Sequence, residues 1–338
     1  MHKLATVALL ALLSSGVIFG LSQFANKHSK TSDSQVEVAF ESWLSSQNKA
    51  YSSPAEKNYR KNVFAANYQK VEESNKLYTY TLALNLFADL TEDEFIAKYA
   101  GLNHVARTER NEVYLPEVNQ QQAVDWRDKG AVNVVKDQGQ CGSCWAFSAT
   151  SAIESAWFIA HNQLYNLAEQ QMVDCSTTFG NHGCNGGWMD YAFAYIKSVG
   201  GQMLTSDYPY TARDQTCKFV KAKAVANVAG YTDIPKNNCA QLTAAITKQP
   251  VSVAIAANAI MMYSGGVFDN RNCGTGLNHG VTAVGYGTEA GTGKNYWIVR
   301  NSWSASWGFK GYILMSRDVM TDTGICGICM ASSYPQSA

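Results

Sequence analysis

Apolar and polar positions change their period along the chain. In residues 56–75, EKNYRKNVFAANYQKVEESN, the residues Glu56, Arg60, Phe64, Asn67, Val71 and Asn75 recur at steps of four, four, three, four and four. That is the 3.6-residue period, so all six line one face of a helix. Glu56 and Arg60 there have an ion-pair spacing worth about 0.2–0.5 kcal/mol. Upstream, Phe40, Trp43 and Leu44 predict a shorter helix able to pack on it. Helical spacing returns in CWAFSATSAIESAWFIAHN from Cys144, through Phe147, Ile153, Trp157 and Ile159. Residues 250–257, 279–288, 295–303 and 311–317 are short β-rich runs bounded by glycines. The first half thus reads as mostly α and the second as mostly β.

The N-terminus breaks this alternation. A short basic start (His2, Lys3) leads into an apolar stretch from Leu4 to Leu21, which reads as a signal peptide over residues 1–25 and, on length alone, leaves an uncleaved signal anchor open. No second long apolar run follows. Residues 101–122 lose all periodicity and end in NQQQ before AVDWRDKG, as an exposed, cleavable linker would. Apolar residues make up 46% of the 338, enough for a sizeable core. Lys plus Arg and Asp plus Glu balance at 27 each, which removes the electrostatic case for a nucleic-acid partner.

All nine cysteines lie between Cys141 and Cys329. Residues 31–110 have none, so a helical front segment precedes a cysteine-bearing domain. Entry into the secretory route would oxidise most of these thiols, and an odd number leaves at least one over. The pair in QGQCGSCWAF could be a redox couple, half of a zinc site, or a disulfide cysteine beside a nucleophile. A second Cys-x-x-Cys, Cys326 and Cys329, stands about 180 residues away, far beyond the roughly 15–20 of a zinc ribbon. No βαβ context accompanies either pair. Cys144 sits where a glycine-containing loop enters the predicted helix, whose dipole would favour a thiolate; Cys141 lies back in the loop. Among six histidines, His279 heads an apolar strand, from which it can be aimed across a cleft. Asn301 ends the next strand, where its carbonyl could orient the imidazole while Trp303 keeps water off that bond.

These residues resemble a papain-family, cathepsin L-like cysteine protease in its preproenzyme form. CGSCW spans Cys141 to Trp145, with His279 and Asn301 lying 135 and 157 residues beyond Cys144, close to the family's known spacing. The front helix is similar to the prodomain motif ExxxRxxxFxxNxxxIxxxN, with Val71 for isoleucine. ALNLFAD resembles GxNxFxD, with Ala83 for glycine, and AVDWRDKGAV resembles a mature N-terminus. AEQQMVDCS, GCNGGWMDYAF and GYGTEAGTGKNYWIVRNSW also look like family blocks. Ser304 stands where NSWG is usual.

The resemblance implies an α+β papain-like two-domain fold, with an α-helical left domain, a β-barrel-like right domain and a cleft between them, behind a helical inhibitory prodomain. Residues 26–119 would be the propeptide and 120–338 the peptidase, with cleavage near Asn119 to Gln122. It implies Cys144 as nucleophile, His279 as general base and acid, Asn301 as orienting group, and Gln138 with the Cys144 N–H as oxyanion hole. Gly186, Gly187, Trp188, Met189, Ala254, Leu277, Asn278, Trp303 and Ala331 would bind substrate. Of these, Trp188, Met189, Ala254, Leu277 and Ala331 would line an apolar S2 pocket selecting Leu, Phe or Val at P2. Disulfides would join Cys141 to Cys184, Cys175 to Cys217 and Cys273 to Cys326; Cys239 and Cys329 are expected as free thiols, with a fourth bridge the alternative. The expected enzyme is a monomer without cofactor or metal. It would act on protein and peptide substrates, be inhibited by its own propeptide, and open in acid as carboxylates such as Glu56 and Asp89 protonate. Lysosome, digestive vacuole and extracellular space all fit a secretory chain without an Asn-x-Ser/Thr sequon. A silent binding module of the same fold, or an acyl-transfer enzyme, are the rival readings.

Overall fold

The computed structural model describes residues 34–102, 111–116, 123–319 and 321–338, in two compact units, one ending at Lys70 and the other starting at Val71. The expected signal peptide and the cleavage segment at 119–122 lie outside the described residues.

The first unit holds helix α1 (34–46) and the start of α2 (Pro54–Leu77). Pro54 opens α2, where a missing N–H costs nothing. Ser53 Oγ accepts from Glu56 N at 3.2 Å, and the Glu56 carboxylate reaches back to accept from Ser52 N (3.2 Å) and Ser52 Oγ (2.7 Å). These bonds are the main reason that the Glu56 pKa falls below its ordinary value; the Arg60 charge adds a smaller pull. The carboxylate expected to pair with Arg60 is therefore held first by its own N-cap loop. Phe40 and Phe64 are fully buried, 5.2 Å apart, with Trp43 5.3 Å from Phe64. Exposed ion pairs Lys57–Glu41 and Lys61–Glu37 flank this seam and add at most about 1 kcal/mol each.

The second unit continues through β1 (Thr81–Leu82) and α3 (Glu92–Tyr99) into β2 (Val124–Asp125), α4 (Cys144–His161), α5 (Glu169–Cys175) and α6 (Met189–Val199). Then come β3 (Gln202–Met203), β4 (Ala224–Ala226), β5 (Val228–Asp233), α7 (Cys239–Ile246), β6 (Val251–Ile255), β7 (Tyr263–Gly265) and β8 (Val267–Phe268). Strands β9 (His279–Thr288), β10 (Asn295–Arg300), β11 (Tyr312–Ser316) and β12 (Ser332–Ser337) close the chain. One sheet runs β5-β12-β6-β9-β10-β11-β8, with β2 also on β9. The strands are antiparallel except for β8 on β11. β9 and β6 are buried almost throughout, so they read as continuous apolar runs rather than alternations. One core gathers the sheet, α7 and the aromatics Tyr80, Phe87 and Phe95. A second gathers α4, α5 and α6 around Trp145, Phe193 and Ile196, and α4 packs across β6, β9 and β12 to join them. Among the described residues no helix is long and apolar enough to cross a membrane.

Part of the front segment is built into this unit. The Asn75 side chain donates to Leu82 O (3.0 Å) and accepts from Leu82 N (2.8 Å), holding β1, which pairs with β7. Asn85 donates to Met261 O at 2.8 Å. Phe87, Phe95 and Tyr99 form an aromatic cluster in which Phe87 and Phe95 meet Trp303 edge-on, at 5.7 and 4.9 Å. The described residues of the polar linker are mostly exposed but anchored by hydrogen bonds. Leu102 is buried, and residues 111–115 bond to Asp233 and to both ends of the Gln241 amide.

Four disulfides form: Cys141–Cys184, Cys175–Cys217, Cys273–Cys326 and Cys239–Cys329, with Cα separations of 4.6, 4.9, 5.2 and 5.2 Å. The last corrects the expectation of free thiols at 239 and 329. The turn after β11 carries Cys329 back over the first residue of α7, and the Asn237 N to Cys329 O bond (2.8 Å) fixes that approach. Cys144 alone stays outside a bridge.

Candidate active site

Cys144 is the first residue of α4 and fully buried. Its Sγ accepts from Gly280 N at 3.3 Å, so the thiol lies at the helix's positive end and against the residue after His279. His279 opens β9, paired with Ile255 of β6, and its Nε2 lies 2.8 Å from Asn301 Oδ1. That oxygen also accepts from Ser302 N (2.8 Å), so it is an acceptor and His279 Nε2 donates to it. The proton then sits on Nε2, and Nδ1, which has no hydrogen-bond partner, keeps a lone pair able to take a proton. Trp303, 1% exposed, stacks on the imidazole with centroids 4.4 Å apart. Its indole lies on the ring.

Burial sets the protonation of this pair. Desolvation pushes the Cys144 thiol up to about 11 despite backbone N–H groups pointing at it. Desolvation also pushes His279 down to about 4, against the bond to Asn301. In this closed chain both groups are neutral at ordinary pH.

Gln138 is tied in from several directions. Its N donates to Ser302 O (2.9 Å) and its Oε1 accepts from Ser302 Oγ (2.7 Å). Its Nε2 donates to Cys141 O (2.9 Å) and to Tyr99 O (3.1 Å), the carbonyl that also accepts from Trp303 Nε1 at 3.2 Å.

Residues 99–102 thus lie over the groups that sequence reasoning singled out. Gly101 N and Leu102 N both donate to Asn278 O, at 3.0 and 3.1 Å, and Gly101 O accepts from Gly187 N at 3.0 Å. Leu102 pairs with Gly187 as a parallel bridge. It belongs to one apolar cluster with Trp188, Met189, Ala254, Leu277 and Ala331. Gly186 takes a φ of 107° in the turn leading to Gly187, a conformation that favours glycine. Gly187 lacks room for a side chain: a Cβ would meet Asn181 Oδ1 at 2.2 Å. All thirteen expected catalytic and substrate-binding residues fall in this region. Sequence reasoning did not single out Ser302 or the covering residues Tyr99 to Leu102; only the polar side of NSW hinted at Ser302. Among the described residues no group of three or more His, Cys, Asp or Glu is placed to hold a metal ion.

Residues 120–336 match the profile of the papain family cysteine proteases, and residues 40–95 match that of the cathepsin propeptide inhibitor domain (I29). Cysteine proteinase RD21A of Arabidopsis thaliana is 44% identical over 349 aligned residues, spanning 98% of this chain and 75% of its own. The recombinant stem bromelain precursor superposes with a TM-score of 0.82 at 42% identity, over 89% of this chain and 98% of its own. Digestive procathepsin L 3 of the Tenebrio molitor larval midgut gives 0.77 at 39% identity, over the same shares. The chain belongs to the papain family of cysteine proteases, as an endopeptidase of papain-like α+β fold that carries its own propeptide inhibitor domain.

Proposed function

We propose that the protein hydrolyses peptide bonds through Cys144 once residues 26–119 are removed, with 120–338 as the mature enzyme and 1–25 as a signal peptide. One observation carries this reading: the main chain of Tyr99 to Leu102 occupies Asn278 O, Gly187 N and Gln138 Nε2, the polar groups an extended substrate would need. When that segment leaves, water returns to the dyad. The thiol proton then passes to His279 Nδ1, and the thiolate forms at the N-terminus of α4. The thiolate attacks the scissile carbonyl, and the oxyanion takes bonds from Cys144 N and Gln138 Nε2. His279, held by Asn301, protonates the leaving amine, and water then releases the acyl-enzyme.

Leu102 in the apolar cluster supports Leu, Phe or Val at P2. Proton counting supports carboxylates as the source of acid activation. Opening moves a proton within the dyad without net uptake, so acid sensitivity has to come from carboxylates, Glu56 among them. Its pKa is depressed in the fold, so it stabilises above its unfolded value and loses that contribution as pH falls through the folded one. The eight bridged cysteines and the digestive relative support a secreted, vacuolar or lysosomal setting.

The test is cleavage of a fluorogenic peptide with an apolar P2 residue by acid-treated protein under mild reductant, beside Cys144→Ala. Activity that appears as the front segment is lost, and is absent from the variant, is expected. A trimmed, folded wild type that stays inactive with Cys144 resistant to alkylation would favour a binding module instead.

A further inference from the structure

Tyr210 lies in the loop YPYTARD, on no helix or strand, and has no part in the chemistry above. Its hydroxyl donates to Gln138 O at 2.8 Å, which leaves it to accept from Ser143 Oγ at 2.6 Å. The ring is fixed edge-on against Phe147 of α4, with centroids 4.8 Å apart and planes at 86°. One hydroxyl therefore ties the two ends of the segment 138–143. Gln138 carries one oxyanion donor on its side chain, and Ser143 directly precedes Cys144, whose N–H is the other. Ser143 caps α4 by position but makes no side-chain bond to the helix; its hydroxyl is turned to Tyr210 instead. On the opposite side Gln138 is held by Ser302, so the residue is braced from the helical half by Tyr210 and from the sheet half by Ser302.

We infer that Tyr210 is a positioning residue for the oxyanion hole, setting the distance between the Gln138 amide and the Cys144 N–H through its shared bonds to Gln138 O and Ser143 Oγ. The inference rests on the reading of Gln138 as an oxyanion donor. Preorganised donors act only when held near the position that the charge will occupy, and losing one outright typically costs about 10²–10³ in turnover. A donor left in place but loosened should cost less, about 10-fold.

The experiment compares the processed enzyme with Tyr210→Phe, Ser143→Ala, Gln138→Ala and the Tyr210→Phe/Gln138→Ala double variant. Tyr210→Phe should lower kcat about 10-fold with KM within about 2-fold. It should weaken a peptide aldehyde, whose tetrahedral adduct places an oxyanion in the hole, by a similar factor. Alkylation of Cys144 by iodoacetamide, which develops no oxyanion, should be unchanged. Ser143→Ala should reproduce this pattern from the other end of the clamp. In the Gln138→Ala background the Tyr210 effect should shrink to about 2-fold or less. Full additivity with Gln138→Ala, or equal losses in alkylation and turnover, would overturn the assignment. A Gln138→Ala enzyme of wild-type turnover would instead remove the oxyanion reading itself, and the clamp with it.

Discussion

Gly101 is the residue on which closure of the zymogen turns. A Cβ built on it would lie 1.9 Å from Gly142 O, 2.3 Å from Gly142 C and 2.7 Å from Gly142 Cα. Gly142 cannot retreat: its N donates to Cys184 O at 2.9 Å, and the Cys141–Cys184 bridge sits directly beside it. In Gly101→Ala the covering strand must therefore withdraw by about 1.5 Å to reach ordinary contact distance. That stretches three main-chain bonds, from Gly101 N and Leu102 N to Asn278 O and from Gly187 N to Gly101 O, from 3.0–3.1 Å past the hydrogen-bond limit. At about 0.5–1.5 kcal/mol each, their loss removes about 1.5–4.5 kcal/mol from the closed state. The open fraction should then rise roughly 10- to 1,600-fold.

The rate of Cys144 alkylation by iodoacetamide, followed by mass spectrometry on the unprocessed full-length chain, reads that fraction. Residue 101 lies outside the expected mature enzyme, so the processed forms of wild type and variant should be indistinguishable, which separates an opened seat from a damaged site. An alkylation rate unchanged in Gly101→Ala would refute the reasoning, because the geometry allows no third outcome in which an alanine is accommodated with the seat intact.

With the dyad covered, the imidazole of His279 should stay neutral down to about pH 4 and the Cys144 thiol should remain protonated up to about pH 11. Nitrogen-15 NMR of the full chain should show no imidazolium at His279 between pH 5 and 8, with that residue's imidazolium signal appearing only after processing. Glu56→Gln mimics the protonated carboxyl, so processing should run faster at neutral pH and depend less steeply on acid; a pH profile identical to wild type would remove Glu56 from the mechanism. Replacing both Cys239 and Cys329 by Ser opens a loop of 90 residues, which in the chain-entropy model costs about 4 kcal/mol. Calorimetry should show a fall in Tm of roughly 8–16 °C.

How much of this was legible in the sequence depended on whether a residue's partners were set by its own element or by distant loops. Periodicity alone found Phe64 and Val71 on the buried face of α2, because a helix fixes its own neighbours. Cys144 could be singled out because a helix start is a local feature with a local electrostatic effect. The Cys239–Cys329 pair could not, since its closure depends on where a turn some ninety residues away comes to rest. The same holds for Lys136, whose ammonium lies between the buried carboxylates of Glu154 and Glu169 at 2.9 and 2.6 Å. Three charged letters scattered over a sequence give no sign that they share one interior site.

Gly101 makes the limit clearest. A glycine just past a helix commonly ends it in left-handed conformation. Yet the cap residue after α3, Ala100, is in extended geometry, and Gly101 is not among the positive-φ glycines. Its smallness serves the approach to Gly142 and not the turn. A sequence records that a side chain is missing, while only the neighbour across the cleft tells why. The substitution that would test a helix cap at this position therefore tests the inhibitory seat instead.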